Sequence, residues 1–321
     1  MSQEPLFPHR PLAVVAFGGN ALLRPEDEGY QNKQIERAEE AARWLVQTAR
    51  AGYDLAIVHG NGPQVGNLLI QVEESVTKIP PSTLDVCVAQ TEGSIGYMLE
   101  MALRNELHTA GLDREVATVV TLVEVDPNDP GFQNPTKPIG PFYSAYRSRA
   151  LMDEQGWSMV EDSGRGFRKV VASPKPLRIV QLKTIRDLLL SGVITITAGG
   201  GGIPVVRNSS GRLVGVEAVI DKDYASALLA AELKAELFVV LTGVPQVMKN
   251  FGKKNQEALP RLTVREARKL LSAGQFPPGS MGPKIDSAIQ FVERGGKEVL
   301  ITSAEALNDA IAGRTGTYIS A

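Results

Sequence analysis

Four apolar runs in this chain stop at glycine. Leu12 to Phe17 meets Gly18-Gly19, and Leu55 to Val58 meets His59-Gly60-Asn61-Gly62. Val193 to Thr197 meets Ala198 and four consecutive glycines, Gly199 to Gly202, while Leu237 to Leu241 meets Thr242-Gly243. A short continuous apolar run bounded by turn residues reads as a strand buried on both faces, which requires helices on both sides of a parallel sheet. Helical spacing supplies them at Lys33–Ala51, 83–109, Thr184–Leu190, Val264–Ala273, Ile285–Arg294 and Ala304–Ala312. Val116–Val123 and Glu298–Ile301 read as further strands, and Thr315-Gly316-Thr317 introduces a short final one. The expected fold is α/β with a mainly parallel sheet, and its ligands belong at the carboxyl ends of the strands.

One region breaks the alternation. Residues 124–178 are rich in proline and glycine, and Asp126 to Pro141 is neither helix nor central strand. The segment reads as an irregular insertion, a subdomain projecting from a single domain that spans 1–321; such insertions commonly serve as lids or binding loops.

The residues that carry chemistry cluster at the strand ends. Gly200 and Gly201 lie in a stretch without side chains, where backbone amides can close around an anion. Asp221-Lys222-Asp223 stands at the entrance of a helix, beside the positive end of its dipole. Lys137, Lys222 and Lys284 each sit next to proline, glycine or aspartate and not on a solvated helix face. Lysines, amides and a metal suffice for phosphoryl transfer, which is mostly positioning plus electrostatics. Neither a Walker loop nor a Rossmann fingerprint is present.

Composition narrows the partners. Thirty-four basic against 36 acidic residues give a net charge of −2, so nothing draws the chain as a whole to nucleic acid or to an anionic membrane. One cysteine, Cys87, excludes an internal disulfide and suits a reducing compartment. With three histidines a Cys/His zinc cluster is not expected, and His59 at a strand end reads as structural. Met1 to Arg10 lacks the apolar segment of an export signal, and Glu232, Lys234 and Glu236 interrupt the most hydrophobic stretch. A cytoplasmic location is expected.

Seven motifs then carry a resemblance: FGGNAL (17–22), HGNGPQVG (59–66), TKPIGPFY (136–143), SPKP (173–176), AGGGGIPV (198–205), VIDKD (219–223) and MGPK (281–284). In this order, and from about residue 12 to the C-terminus, the chain resembles the carbamate kinases of the amino-acid kinase superfamily. The resemblance implies an open αβα sandwich with a protruding subdomain, and reversible phosphoryl transfer from carbamoyl phosphate to ADP, giving carbamate and ATP with Mg²⁺. It implies that Lys222 and Lys284 neutralise the transferring group, that Asp223 orients them, and that Lys137 reaches in from the subdomain. Gly18, Gly19, Asn20, Gly60 and Asn61 would line the carbamate side. Thr242, Gly243, Val244, Val247, Met281 and Gly282 would hold the nucleotide, with Mg²⁺ carried by phosphates and water and by no protein ligand directly. The family also favours a homodimer. Ala172 departs from it, standing where a proline is expected before SPKP.

Carbamate is already an anionic oxygen nucleophile and needs no general base, which suits a chain so poor in histidine. Two other readings compete: a kinase for an acetylated amino acid, and a non-catalytic metabolite sensor on the same fold.

Overall fold

Every residue of Leu12–Phe17 is buried, and alternate residues feed two different cores. Leu12, Val14 and Ala16 join one apolar cluster, and Ala13, Val15 and Phe17 join the other. Successive side chains of a strand point to opposite faces, so this strand lies in a sheet covered on both sides.

The computed structural model describes residues 10–18, 22, 27, 29–162, 164–277 and 279–321. The chain runs through β1 (Leu12–Phe17), α1 (Gln31–Arg50), β2 (Asp54–His59), α2 (Gly62–Ser75), α3 (Leu84–Thr109) and β3 (Val116–Val119). It continues with β4 (Leu122–Val125), β5 (Lys137–Tyr143), α4 (Ala145–Gln155), β6 (Met159–Glu161), β7 (Phe167–Val171), β8 (Pro176–Ile179) and α5 (Leu182–Leu190). Next come β9 (Ile194–Thr197), β10 (Ile203–Arg207), β11 (Leu213–Gly215), α6 (Lys222–Leu233) and β12 (Leu237–Thr242). The last part holds β13 (Met248–Lys249), β14 (Glu257–Ala258), β15 (Arg261–Thr263), α7 (Val264–Ser272), α8 (Met281–Glu293), β16 (Glu298–Ser303), α9 (Leu307–Ile311) and β17 (Thr317–Ser320).

Eight strands form the central sheet in the order β15-β17-β16-β12-β1-β2-β9-β3. All neighbours are parallel except β16 and β17. Helices α1, α3 and α9 cover one face, and α5, α6, α7 and α8 the other. This is an αβα sandwich. The Phe238 and Phe291 rings, 5.5 Å apart, fasten α8 to β12. Helix α6 is apolar nearly all round and lies buried against the centre of the sheet. No helix among the described residues is long and apolar enough to cross a membrane.

Two expectations need correction. The single strand at Val116–Val123 is two strands in two sheets: β3 pairs with β9, whereas β4 pairs with β10 and β8. The break falls at Val120-Thr121, where the Thr121 N–H donates to Glu92 Oε2 at 2.8 Å and leaves the ladder. The 124–178 segment is also not irregular. It contains α4 and an antiparallel sheet in the order β5-β7-β6. Strand β5 accommodates Pro138 and Pro141 because it is the edge of that sheet and its pairing with β7 is interrupted between Ile139 and Tyr143, where Pro141 falls. Gly66 of α2 meets Gly140 of β5 backbone to backbone; a Cβ on Gly66 would collide with the Gly140 Cα and N. Lys169 Nζ on Glu73 Oε1, at 2.9 Å, adds a second tie to α2.

Candidate active site

The first turn of α6 organises the site. Asp221 is the N-cap, with extended backbone angles, and its Oδ1 accepts the Asp223 N–H at 2.9 Å. That leaves Oδ2 free to accept Lys137 Nζ at 2.7 Å, across 84 positions of sequence. Lys222 and Asp223, the first two helical residues, are only 8% and 4% exposed. Asp223 accepts Lys222 Nζ on Oδ1 at 2.5 Å and Lys284 Nζ on Oδ2 at 2.9 Å. Two carboxylates thus hold three ammonium groups, and the cluster carries one net positive charge.

Lys284 comes from the first turn of α8, which starts at Met281 and not at the Ile285 expected from sequence. A first turn needs no internal N–H donor, so Pro283 begins the helix instead of stopping it. The N-terminal turns of α2, α6 and α8 all border one cleft of about 520 Å³. Each turns the positive end of its dipole toward the cleft, a setting made for an anion.

Burial and charge compete in this cluster. Burial pulls the Lys222 ammonium down to about 8, although Asp223 acts in the opposite sense. Burial also pulls on Lys284, but the Asp223 carboxylate outweighs it and the net shift is upward. Burial pushes the carboxyls up, yet Lys137 on Asp221, and Lys222 with Lys284 on Asp223, hold both below the usual carboxylate range. Near neutral pH Lys222, Lys284 and both carboxylates are charged.

Of the residues expected at the site, Lys137, Lys222, Asp223 and Lys284 come together, and Gly18, Gly60, Asn61, Gly200, Thr242 and Gly243 border the same cleft. Gly19 and Asn20 lie outside the described residues. Gly201 is buried behind the wall, where a Cβ would strike the Ile220 carbonyl. Val247 is fully buried in the core, Met281 packs against that core, and Gly282 presses on the Pro277 carbonyl. Val244 is half-buried, in the turn beyond Gly243.

The glycine turn has a packing reason as well as a chemical one. A Cβ would meet the His59 ring at Gly199, the Asn61 amide at Gly200 and Val123 at Gly202. Gly200 also has φ +68, which favours glycine. His59 itself is 1% exposed, and burial lowers it to about 4, so it is neutral and away from the cleft.

Three site residues were not singled out from sequence. Arg165 and Arg168 border the cleft on the side of β7, facing the Phe142 ring. Glu92 of α3 is 2% exposed behind the glycine turn. A signal for it existed: Val88, Glu92, Ile95 and Leu99 share one face of a helix, and a carboxylate does not belong on a core stripe without a task.

The sequence pattern of the amino acid kinase family matches residues 11–303. The chain belongs to that family. Several relatives within it are carbamate kinases. That of Staphylococcus haemolyticus is 48% identical over 309 residues, covering 95% of this chain and 98% of its own. That of Thermococcus kodakarensis is 45% identical with the same coverage. A carbamate kinase-like protein of Escherichia coli K12 is 46% identical over 311 residues, covering 96% of this chain and 98% of its own. The solved carbamate kinase of Giardia lamblia bound to AMP-PNP superposes with a TM-score of 0.88 at 38% identity, over 97% of this chain and 98% of that one. This amino acid kinase is therefore a phosphotransferase of the carbamate kinase type.

Proposed function

We propose that this kinase catalyses reversible phosphoryl transfer between carbamoyl phosphate and ADP. A β-phosphate oxygen of ADP attacks phosphorus, and the bond from phosphorus to the carbamoyl oxygen breaks. The electron pair leaves on carbamate, and ATP forms. The observation that carries this reading is the Asp223 carboxylate bridging Lys222 and Lys284, opposite the Lys137–Asp221 pair. Such a frame fixes ammonium groups before substrate arrives, and preorganised charge is the main source of catalysis where there is little covalent work to do.

In this reading Lys222 and Lys284 neutralise the phosphoryl oxygens, Asp223 orients both, and Lys137 contributes from β5. Gly18, Gly60, Asn61 and the Gly200 turn contact the carbamoyl side. The nucleotide lies toward Thr242, Gly243 and the 281–284 turn. No base is assigned, since neither carbamate nor an ADP β-phosphate oxygen has a proton to lose.

Mg²⁺ fits the donor chemistry on one condition. Among the described residues no three His, Cys, Asp or Glu side chains gather as a metal cluster, and Asp221 and Asp223 are engaged by lysines. The ion would be held by phosphate oxygens and water, with those two carboxylates as outer partners, as is common for Mg²⁺ in kinases. It would supply further neutralisation of phosphate charge.

Segment 124–178 acts as the lid. Its Lys137 binds Asp221 of the sandwich, so seating β5 completes the lysine set, and closure excludes water from a labile acyl phosphate. A homodimer in the cytoplasm is the expected setting. The test is ATP formation from carbamoyl phosphate, ADP and Mg²⁺, run beside acetylglutamate and glutamate as acceptors with ATP. Turnover of an amino-acid acceptor in preference to carbamate would overturn the reading.

A further inference from the structure

Adjacent residues of α3 hold two different parts of the cleft wall. Thr91 is fully buried, and its Oγ1 accepts the Asn61 Nδ2 amide at 2.8 Å while donating to the Val88 carbonyl at 2.7 Å. Glu92 accepts the Thr121 N–H on Oε2, and the Gly199 N–H approaches the same carboxyl. Among the described residues Oε1 has no hydrogen-bond partner. The Thr121 hydroxyl continues this frame: it lies 2.8 Å from Thr197 Oγ1 and accepts the Ala198 N–H at 3.0 Å.

The arrangement has direction. Asn61 and Gly200 both border the cleft and touch each other, since a Cβ on Gly200 would run into the Asn61 amide. Behind Asn61 stands Thr91; behind Gly199, the residue before Gly200, stands Glu92. Both supports come from one rigid helix turn. Neither Thr91 nor Glu92 borders the cleft, so neither can act on substrate itself.

We propose that Thr91 and Glu92 are a positioning pair for the carbamoyl side of the site: Thr91 sets the Asn61 amide, and Glu92 sets the 198–202 turn. This rests on the carbamate kinase reading for the identity of the substrate, but not for the mechanics of the wall. Glu92 acts through its acceptor oxygen on the Thr121 N–H. Burial holds its carboxyl well above the ordinary range, outweighing the Thr121 and Gly199 amides. A carboxamide keeps the shape of the side chain and an oxygen that can accept the Thr121 N–H, so glutamine should replace it and alanine should not.

The test combines kinetics with amide hydrogen exchange on the full-length enzyme. Glu92→Ala should speed exchange at 199–202 and lower kcat/KM for carbamoyl phosphate roughly 10- to 100-fold, the scale of a small misplacement. KM for ADP should hold. Glu92→Gln should restore both readouts to near the wild-type values. Thr91→Val, which keeps the side-chain shape, should raise KM for carbamoyl phosphate about tenfold or more with little change in Tm. Unchanged exchange at 199–202 in a folded Glu92→Ala variant would overturn the proposal, whatever the substrate proves to be. So would a Glu92→Gln enzyme as impaired as the alanine variant, or equal losses toward both substrates. Should Glu92→Ala not fold, Thr91→Val decides: wild-type KM for carbamoyl phosphate refutes the pair. An inactive wild-type enzyme would refute the substrate reading alone, since exchange still reports on the wall.

Discussion

Replacing Asp223 by asparagine keeps the shape of the residue and removes the one charge shared by Lys222 and Lys284. The helix keeps its cap, because Asp221 and not Asp223 caps α6. Taking one partner from a buried ion pair costs roughly 3–5 kcal/mol if the remaining charge must stay. Lys222 has a cheaper way out. Its ammonium already sits at about 8 with Asp223 in place, and Asp223 is the largest influence holding it up against burial. A further fall of about one unit, worth about 1.4 kcal/mol, leaves it half charged at pH 7. The lost ion pair exceeds that amount, so Lys222 becomes mostly neutral. Losing a preorganised cation at the reacting phosphoryl group costs about 100- to 1,000-fold in kcat. The assay is ATP formation from carbamoyl phosphate and ADP between pH 6 and 8, with Tm measured in parallel. The variant should fold, run at that reduced rate at pH 7, and recover part of the loss toward pH 6 as Lys222 regains its proton. A folded variant within threefold of wild type at pH 7, or a deficit the same from pH 6 to 8, would refute the reasoning.

Lys284→Ala should lower kcat by about 100-fold or more while leaving ADP binding by calorimetry nearly unchanged, since the charge acts mainly in the transition state. In the wild-type enzyme Lys222 is depressed, so the ammonium is present below about 8 and lost above it; kcat should fall as pH rises through that value, visible in a pH–rate profile. Gly66→Ala would push a methyl into the Gly140 backbone and shift β5, which carries Lys137. It should cost roughly 100-fold in turnover without altering any cleft residue, as steady-state kinetics would show. Gly200→Ala combines a positive φ with a clash on Asn61 and should raise KM for carbamoyl phosphate far more than KM for ADP.

What could be read from sequence was local. Buried strands announce themselves by unbroken apolar runs, and their ends by glycine, so the central sheet and the cleft at its strand ends follow from pattern. The resemblance gave Asp223 to Lys222 and Lys284, but the role of Asp221 was not legible. Three charges in a row look alike until the phase of the helix is known, and that phase makes Asp221 a cap and a seat for Lys137, leaving Asp223 to the other two lysines. Nor could the Lys137–Asp221 pair be inferred from spacing. The split at Val120-Thr121 escaped for a similar reason: propensity continues the strand, and a carboxylate from α3, 29 positions earlier, ends it. Glu92 was the exception, a missed residue whose place on an apolar stripe did signal a task.

The pairing of each lysine with an aspartate looks self-defeating in a site meant to attract phosphate, because it cancels two of three charges. Burial resolves this. Lys222 is pulled down to about 8 even with Asp223 beside it, so without a carboxylate it would be neutral when substrate arrives. The aspartates keep the lysines charged and fix their positions at hydrogen-bond distance, and the remaining net charge of the cluster draws in an anion. Once phosphate occupies the cleft it supplies negative charge of its own, and the ammonium groups face it already oriented and already stripped of water. Asp223 therefore works most before chemistry begins. Its loss should be felt in the protonation of Lys222 first and in the transferred phosphoryl group second, which is why pH, and not rate alone, separates an organising carboxylate from a reacting one.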